Sequence, residues 1–323
     1  MVQRLIVPIG VGTRRRLTTV LGIRAAMSEK GHQLPSRYVR FMSALPPITD
    51  ILLMGRHVRK VPEADVHKYV LSSLGMPRFH FALVWLMLCT PAFALTGNAP
   101  AATGWAARPI VMIVDARGDL CTGTALARDL VLTAAHCVTQ AIDYQVKAYQ
   151  TGRSIPVRSI ARHPRFDFAN YAASSATADL ALLKLAAPLP DIVTPATLAA
   201  SRRVAAGETL TVAGFGVTAA GTPRGLGVPR MATLTVTGKP GSLQIRLYDG
   251  TTRNLRAGLG GCTGDSGAPV FDGDGPLVIG VVSWSTAPGD EEGCGGLTGV
   301  TPLLLYRDWI ADTARKFNSP IAP

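Results

Sequence analysis

The sequence predicts an all-β fold, and three observations carry the prediction. Short apolar segments of strand length recur after residue 95: Ile110–Val114, Leu130–Thr133, Asp179–Leu185, Thr209–Gly214, Met231–Val236 and Leu277–Val282. Turn signals punctuate them, including Asp115-Ala116-Arg117-Gly118, Gly214-Phe215-Gly216 and Asp272-Gly273-Asp274-Gly275. Helical patterning shows in one closing segment, Tyr306–Phe317, where Trp309 and Ile310 can pack while charges face elsewhere. Many short strands bounded by Gly/Asp turns indicate a sandwich or a barrel, and the pattern alone leaves both open.

In chain order, the front stands apart. The 323 residues carry a formal charge of +12, but residues 1–94 hold 13 Lys/Arg against 4 Asp/Glu, so most of the excess lies there. Met76-Pro77-Arg78, an apolar run Phe79–Leu88 and the ending Ala92-Phe93-Ala94 read as a signal peptide over 76–94, cleaved after Ala94. The competing reading is a membrane anchor, for which the run is short and interrupted by Pro91. A lipoprotein site at Cys89 fits less well, because Leu88 stands where a small residue is expected. Residues 1–75 show Arg14-Arg15-Arg16, scattered prolines and no sustained period. Their segment Met42–Val70 is similar to a peptide recurring in dubious reading frames of GC-rich bacterial genomes. The expectation is that translation starts at Met76; the alternative is a basic cytoplasmic tail before a signal anchor. A nucleic-acid or membrane-surface function rests on this front alone and is not expected of the remainder.

Residues 95–323 form the working part. Ala186–Gly207, with Pro188, Pro190, Pro195 and Arg202-Arg203, reads as a connection between two halves. Four cysteines follow the signal segment, Cys121, Cys137, Cys262 and Cys294, and they allow three pairings. An even count in a secreted chain supports disulfides, while zinc is the competing use and lacks a Cys-x-x-Cys pair. No metal, nucleotide or organic cofactor motif is apparent.

Three motifs carry chemistry. Gly264-Asp265-Ser266-Gly267-Ala268-Pro269 offers a hydroxyl nucleophile, with Gly264 able to turn its own N–H and that of Ser266 toward one spot. By itself it also reads as a plain glycine-rich turn. Leu132-Thr133-Ala134-Ala135-His136-Cys137 offers a general base; the other histidine after the signal, His163, sits in a polar context. Ala178-Asp179-Leu180-Ala181 offers an acid opening an apolar run, where an unpaired carboxylate is costly; a solvated strand-end acid is the alternative. The order His, Asp, Ser is one of the known triad orders.

Together these motifs resemble the chymotrypsin-like (trypsin-fold) serine proteases, of the bacterial secreted type, over about residues 95–318. The resemblance implies two antiparallel six-stranded β-barrels, at about 105–190 and 205–305, with the site in the cleft between them and a C-terminal helix at 306–317. It assigns His136, Asp179 and Ser266 as triad, and Gly264 and Ser266 as oxyanion donors. Ser283 would bond the aspartate and, with Trp284 and Ser285, bind substrate. The disulfides implied are Cys121–Cys137 and Cys262–Cys294. The pocket floor falls on Gly260, with Ser285 and Gly299 as walls; an uncharged floor implies an apolar or small side chain rather than Lys/Arg. Asp290-Glu291-Glu292, just before Cys294, reads as a solvated loop, the alternative being that it attracts basic residues near the rim. Asp265 matches the family residue that pairs with the mature α-amine, yet the usual Ile-Val-Gly-Gly start is missing. Counting back from Cys121 by the family spacing reaches Leu95, in Leu95-Thr96-Gly97, so secretion itself would expose the activating amine. The implied protein is a secreted or periplasmic serine endopeptidase, monomeric, acting on protein or peptide substrates. It takes no cofactor or nucleic acid and leaves the membrane after signal cleavage. The alternative is a non-catalytic binding protein on the same fold.

Overall fold

The computed structural model describes residues 95–173, 175–199 and 202–321. The doubtful extension 1–75 and the signal segment 76–94 lie outside the described residues.

After a short helix α1 (Gly104–Ala107), six strands close the first barrel: β1 (Ile110–Asp115), β2 (Leu120–Ala127), β3 (Leu130–Thr133), β4 (Tyr144–Ala148), β5 (Arg153–Arg162) and β6 (Ala181–Leu185). Helix α2 (Phe168–Ala172) sits in the β5–β6 connection, its first N–H groups capped by Asp167. The second sheet uses β7 (Thr197–Leu198), β8 (Thr209–Gly214), β9 (Arg230–Thr237), β10 (Ile245–Tyr248), β11 (Pro269–Asp272), β12 (Leu277–Ser285) and β13 (Thr298–Pro302). Pairing of β11 with β12 closes six of these into a second barrel. The connection Ala186–Gly207 is not mere linker: its β7 adds to β12 in parallel. Helix α3 (Arg307–Lys316) closes the chain and buries Ile310 and Ala314.

Strand alternation explains the two-barrel packing. In β3, Val131 points into the first barrel's interior, while Leu130 and Leu132 join a second cluster that includes Phe215, Phe271 and Tyr306. β1 splits likewise, with Val111 and Ile113 inward and Ile110 and Met112 outward. Strands apolar on both faces are what a wall between two cores needs, so these segments read as unbroken apolar runs. The second barrel is filled by Val212, Leu234, Leu247, Val282 and Val300. The wall between the barrels is where the chemical motifs emerge.

Candidate active site

Strand register brings His136 and Asp179 together. Thr133 at the end of β3 pairs with Ala181 at the start of β6. The segments just outside that pair, a 3-10 turn Ala135–Val138 and the residues before β6, therefore share one rim of the barrel. Asp179 is fully buried and accepts three hydrogen bonds: from the His136 N–H at 2.9 Å, from His136 Nδ1 at 2.7 Å and from Ser283 Oγ at 2.5 Å. A carboxylate so held fixes Nδ1 as the protonated nitrogen and leaves Nε2 as acceptor. The Ser283 hydroxyl comes from β12 of the other barrel, so the acid is satisfied across the interface.

The nucleophile loop is also held from across the interface. Thr122 of β2, fully buried, donates its N–H to the Ser266 carbonyl at 2.8 Å and its hydroxyl to the Gly264 carbonyl at 2.8 Å. The same hydroxyl accepts the Phe215 N–H at 3.1 Å. Gly264 takes φ +96°, and a side chain at Gly267 would collide with the Thr122 carbonyl and the Thr133 hydroxyl. With the Gly264 carbonyl turned toward Thr122, the N–H groups of Gly264 and Ser266 donate to no described residue. Tyr171, stacked on His136, lines the cleft that holds Ser266, and Ser266 Oγ and His136 Nε2 make no direct hydrogen bond among the described residues; such contacts are often long before substrate arrives.

Sequence reasoning missed Thr122 and Tyr171. Thr122 follows Cys121 in a Thr-Gly-Thr strand, and nothing in that pattern announces its partners. Tyr171 rises from α2 to stack on His136, ring centroids 4.2 Å apart and planes 13° from parallel. Burial, with the Asp179 charge adding, pushes its phenol up to about 12.

Both disulfides form as expected, Cys121–Cys137 beside the histidine turn and Cys262–Cys294 beside the nucleophile loop. Cys121, Cys137 and His136 cluster with the spacing of metal ligands, but the two sulfurs are joined to each other and offer no thiolate. A cleft of about 740 Å³ contains Ser266, Thr263, Gly264, Ser283, Trp284 and Ser285, with Tyr171 at one side.

Two expected pocket residues need correction. Gly299 lies in β13 directly opposite Trp284, and a side chain there would strike the indole, so that position faces Trp284 and not the pocket. Its neighbour Thr298 points the other way: it is fully buried and its hydroxyl accepts the Gly261 N–H at 2.9 Å. Gly260 is buried in a bridge with Thr96, outside the residues lining the cleft. The reason is period-two alternation, which sends Thr298 and Gly299 to opposite faces. Thr298 thus stands between the cleft and the expected floor.

Asp265 is wholly buried and accepts the Gly216 N–H at 2.8 Å and the Cys262 N–H at 2.9 Å. Burial pushes its carboxyl up to about 7, against those two hydrogen bonds. Among the described residues no cation partners it. Leu95 is fully buried in the second barrel's core, and Thr96 forms an isolated bridge with Gly260 in the segment leading to this loop.

The comparisons with known proteins bear on this geometry. The family model described as Trypsin matches residues 96–310. The snake venom serine protease rhinocerase 4 of Bitis rhinoceros is 26% identical over 219 residues, 63% of this chain and 81% of that protein. Kallikrein 1-related peptidase b26 of Mus musculus is 27% identical, covering 72% of this chain and 99% of that protein. Serine protease 56 of Homo sapiens is 30% identical, covering 60% of this chain and 34% of that protein. A solved structure titled human heparin binding protein superposes with a TM-score of 0.55 at 26% identity, covering 70% of this chain and 99% of that one. These relatives are animal proteins, and they give the expected bacterial type no support. With the family match spanning well over half its length and two closed six-stranded barrels meeting at the site, the chain belongs to the trypsin family of serine proteases.

Proposed function

We propose that this chain is a secreted serine endopeptidase working through an acyl-enzyme on Ser266. The observation that carries the reading is the buried Asp179, bonded to His136 and Ser283 from two barrels at the cleft that holds Ser266. His136 Nε2 takes the Ser266 proton as Oγ attacks the peptide carbonyl. The developing oxyanion accepts from the N–H groups of Gly264 and Ser266. His136 then returns the proton to the leaving amine, and water repeats the cycle on the ester. The acyl part of the peptide lies along Ser283–Ser285. With Thr298 paired opposite Ser285 and Gly260 rather than an acid at the expected floor, the cleaved bond follows a small or apolar side chain rather than Lys or Arg. The two disulfides support an oxidising compartment, and no helix among the described residues is long and apolar enough to cross a membrane.

The test is labelling with a fluorophosphonate probe. Labelling of the wild type and its loss in Ser266→Ala supports the reading; an unlabelled, correctly folded wild type overturns it. The second reading, a binding protein without catalysis, is favoured by the missing Ser266–His136 hydrogen bond and by likeness to a structure titled for heparin binding. The same experiment separates the two.

A further inference from the structure

One row of residues runs across three strands beside the cleft. Trp284 of β12 lies opposite Gly299 of β13, and Gly299 lies opposite Arg246 of β10. All three positions share a face, and the middle one has no side chain. The Arg246 guanidinium therefore reaches over the indole, 5.9 Å from the ring centre. Trp284 lines the cleft that holds Ser266. Arg246 lines a second hollow of about 400 Å³ with Lys239, Thr237, Ser242, Leu243 and Gln244.

Arg246 and Lys239 are both exposed, and no described carboxylate pairs with either. The charged residues lining the cleft itself, Asp119 and Glu292, are both acids, so the cations stand in the hollow and not in the cleft. Resting on the endopeptidase reading, we propose that Arg246, stacked on Trp284 and seconded by Lys239, forms a subsite for an acidic side chain of the peptide substrate. Neighbouring strands lie about 4.8 Å apart, so Arg246 stands roughly 10 Å from Trp284 along the row. A peptide lying along Ser283–Ser285 runs with β12, so the row leads away from it sideways, and Arg246 meets an acyl-side side chain that projects past Trp284. The ring holds the guanidinium in place without neutralising it, and its planar fork suits a carboxylate.

The test measures binding apart from hydrolysis, on the Ser266→Ala chain, with labelled peptides that differ only by Glu or Gln at successive acyl-side positions. At one such position Glu binds about three- to fivefold more tightly at low ionic strength, and the ratio falls toward one in high salt. Arg246→Gln on the same background abolishes the ratio, and Arg246→Lys keeps part of it. Equal binding of Glu and Gln peptides, or a Glu preference that survives Arg246→Gln, overturns the subsite. Hydrolysis of the Gln peptide by the wild type tests the endopeptidase reading separately, so the two failures are distinguishable.

Discussion

Asp179 and Thr122 do different work at the same site, and the difference is measurable. Replacing Asp179 by Asn keeps its volume but lets the amide donate to Nδ1, which places the proton on Nε2 and removes the base. We expect kcat to fall by about 10³- to 10⁴-fold, with the loss seen in steady-state kinetics on a peptide ester. Thr122 touches no substrate; it holds the carbonyls of Gly264 and Ser266 so that their neighbouring N–H groups face the cleft. Thr122→Val keeps the shape and removes the hydroxyl, leaving the Gly264 carbonyl and the Phe215 N–H unsatisfied. The expectation is a fall in kcat of about tenfold to a hundredfold with KM little changed, and matching loss of affinity for a peptide boronate. Thr122→Ser should restore both. A variant that loses stability but binds the boronate as well as the wild type would show that Thr122 only packs. His136, Asp179 and Ser266 were legible because each stands in a recognisable local context, whereas Thr122 acts through partners 93, 142 and 144 positions away, a separation that no local pattern encodes.

Among the elements, those that bury both faces were the easiest to read. Leu130–Thr133 is buried throughout, and its Leu130-Val131-Leu132 appears in the sequence as an uninterrupted apolar run. Strand β5 was not legible: its residues Arg153–Arg162 expose most of one face, carry three arginines and include Pro156, which normally argues against a strand interior. Pairing on both sides, with a register shift beyond Val157, supplies what its composition lacks. The closing helix was legible from its amphipathic pattern, but its partner was not. His163, read as a polar loop residue, is buried between Tyr306 and Trp309, with ring centres 4.9 and 4.8 Å away, and its Nδ1 accepts the Arg165 N–H. Burial, reinforced by the Arg165 charge, holds its imidazole below the usual value. A base whose folded value is depressed contributes stability that is present above the unfolded value of about 6.5 and is lost as pH falls through the folded one. Thermal melts should therefore show Tm declining below about pH 6.5, less steeply in His163→Phe. Identical slopes for the two proteins would mean that another group governs the acid limb.

At the scale of the whole molecule, Asp265 is a buried carboxyl whose charge state the proposed cleavage before Leu95 would change. Asp265 sits at the junction of the nucleophile loop and the second barrel with two N–H donors and no described cation. While residues precede Leu95, folding must keep this carboxyl neutral or bury it charged. Its folded value near 7 against about 3.8 unfolded means that stability is present below the unfolded value and lost as pH rises through the folded one. An α-amine at Leu95 would reverse that balance. Leu95 is already buried in the core beside this loop, and it adopts φ +51°, a conformation costly for leucine that no longer exists as a constraint once the preceding bond is cut. We therefore expect two forms to differ in sign. A chain with an extra residue before Leu95 should lose Tm between about pH 4 and 7, and Asp265→Asn should remove that slope. A chain beginning at Leu95 should hold its Tm across this range. It should lose activity only at alkaline pH, above the ordinary amine value of about 8, because the ion pair raises the amine. The measurement is calorimetry of both forms together with hydrolysis of one peptide across pH. Equal activity and equal pH slopes, with or without the extra residue, would remove Leu95 as the switch.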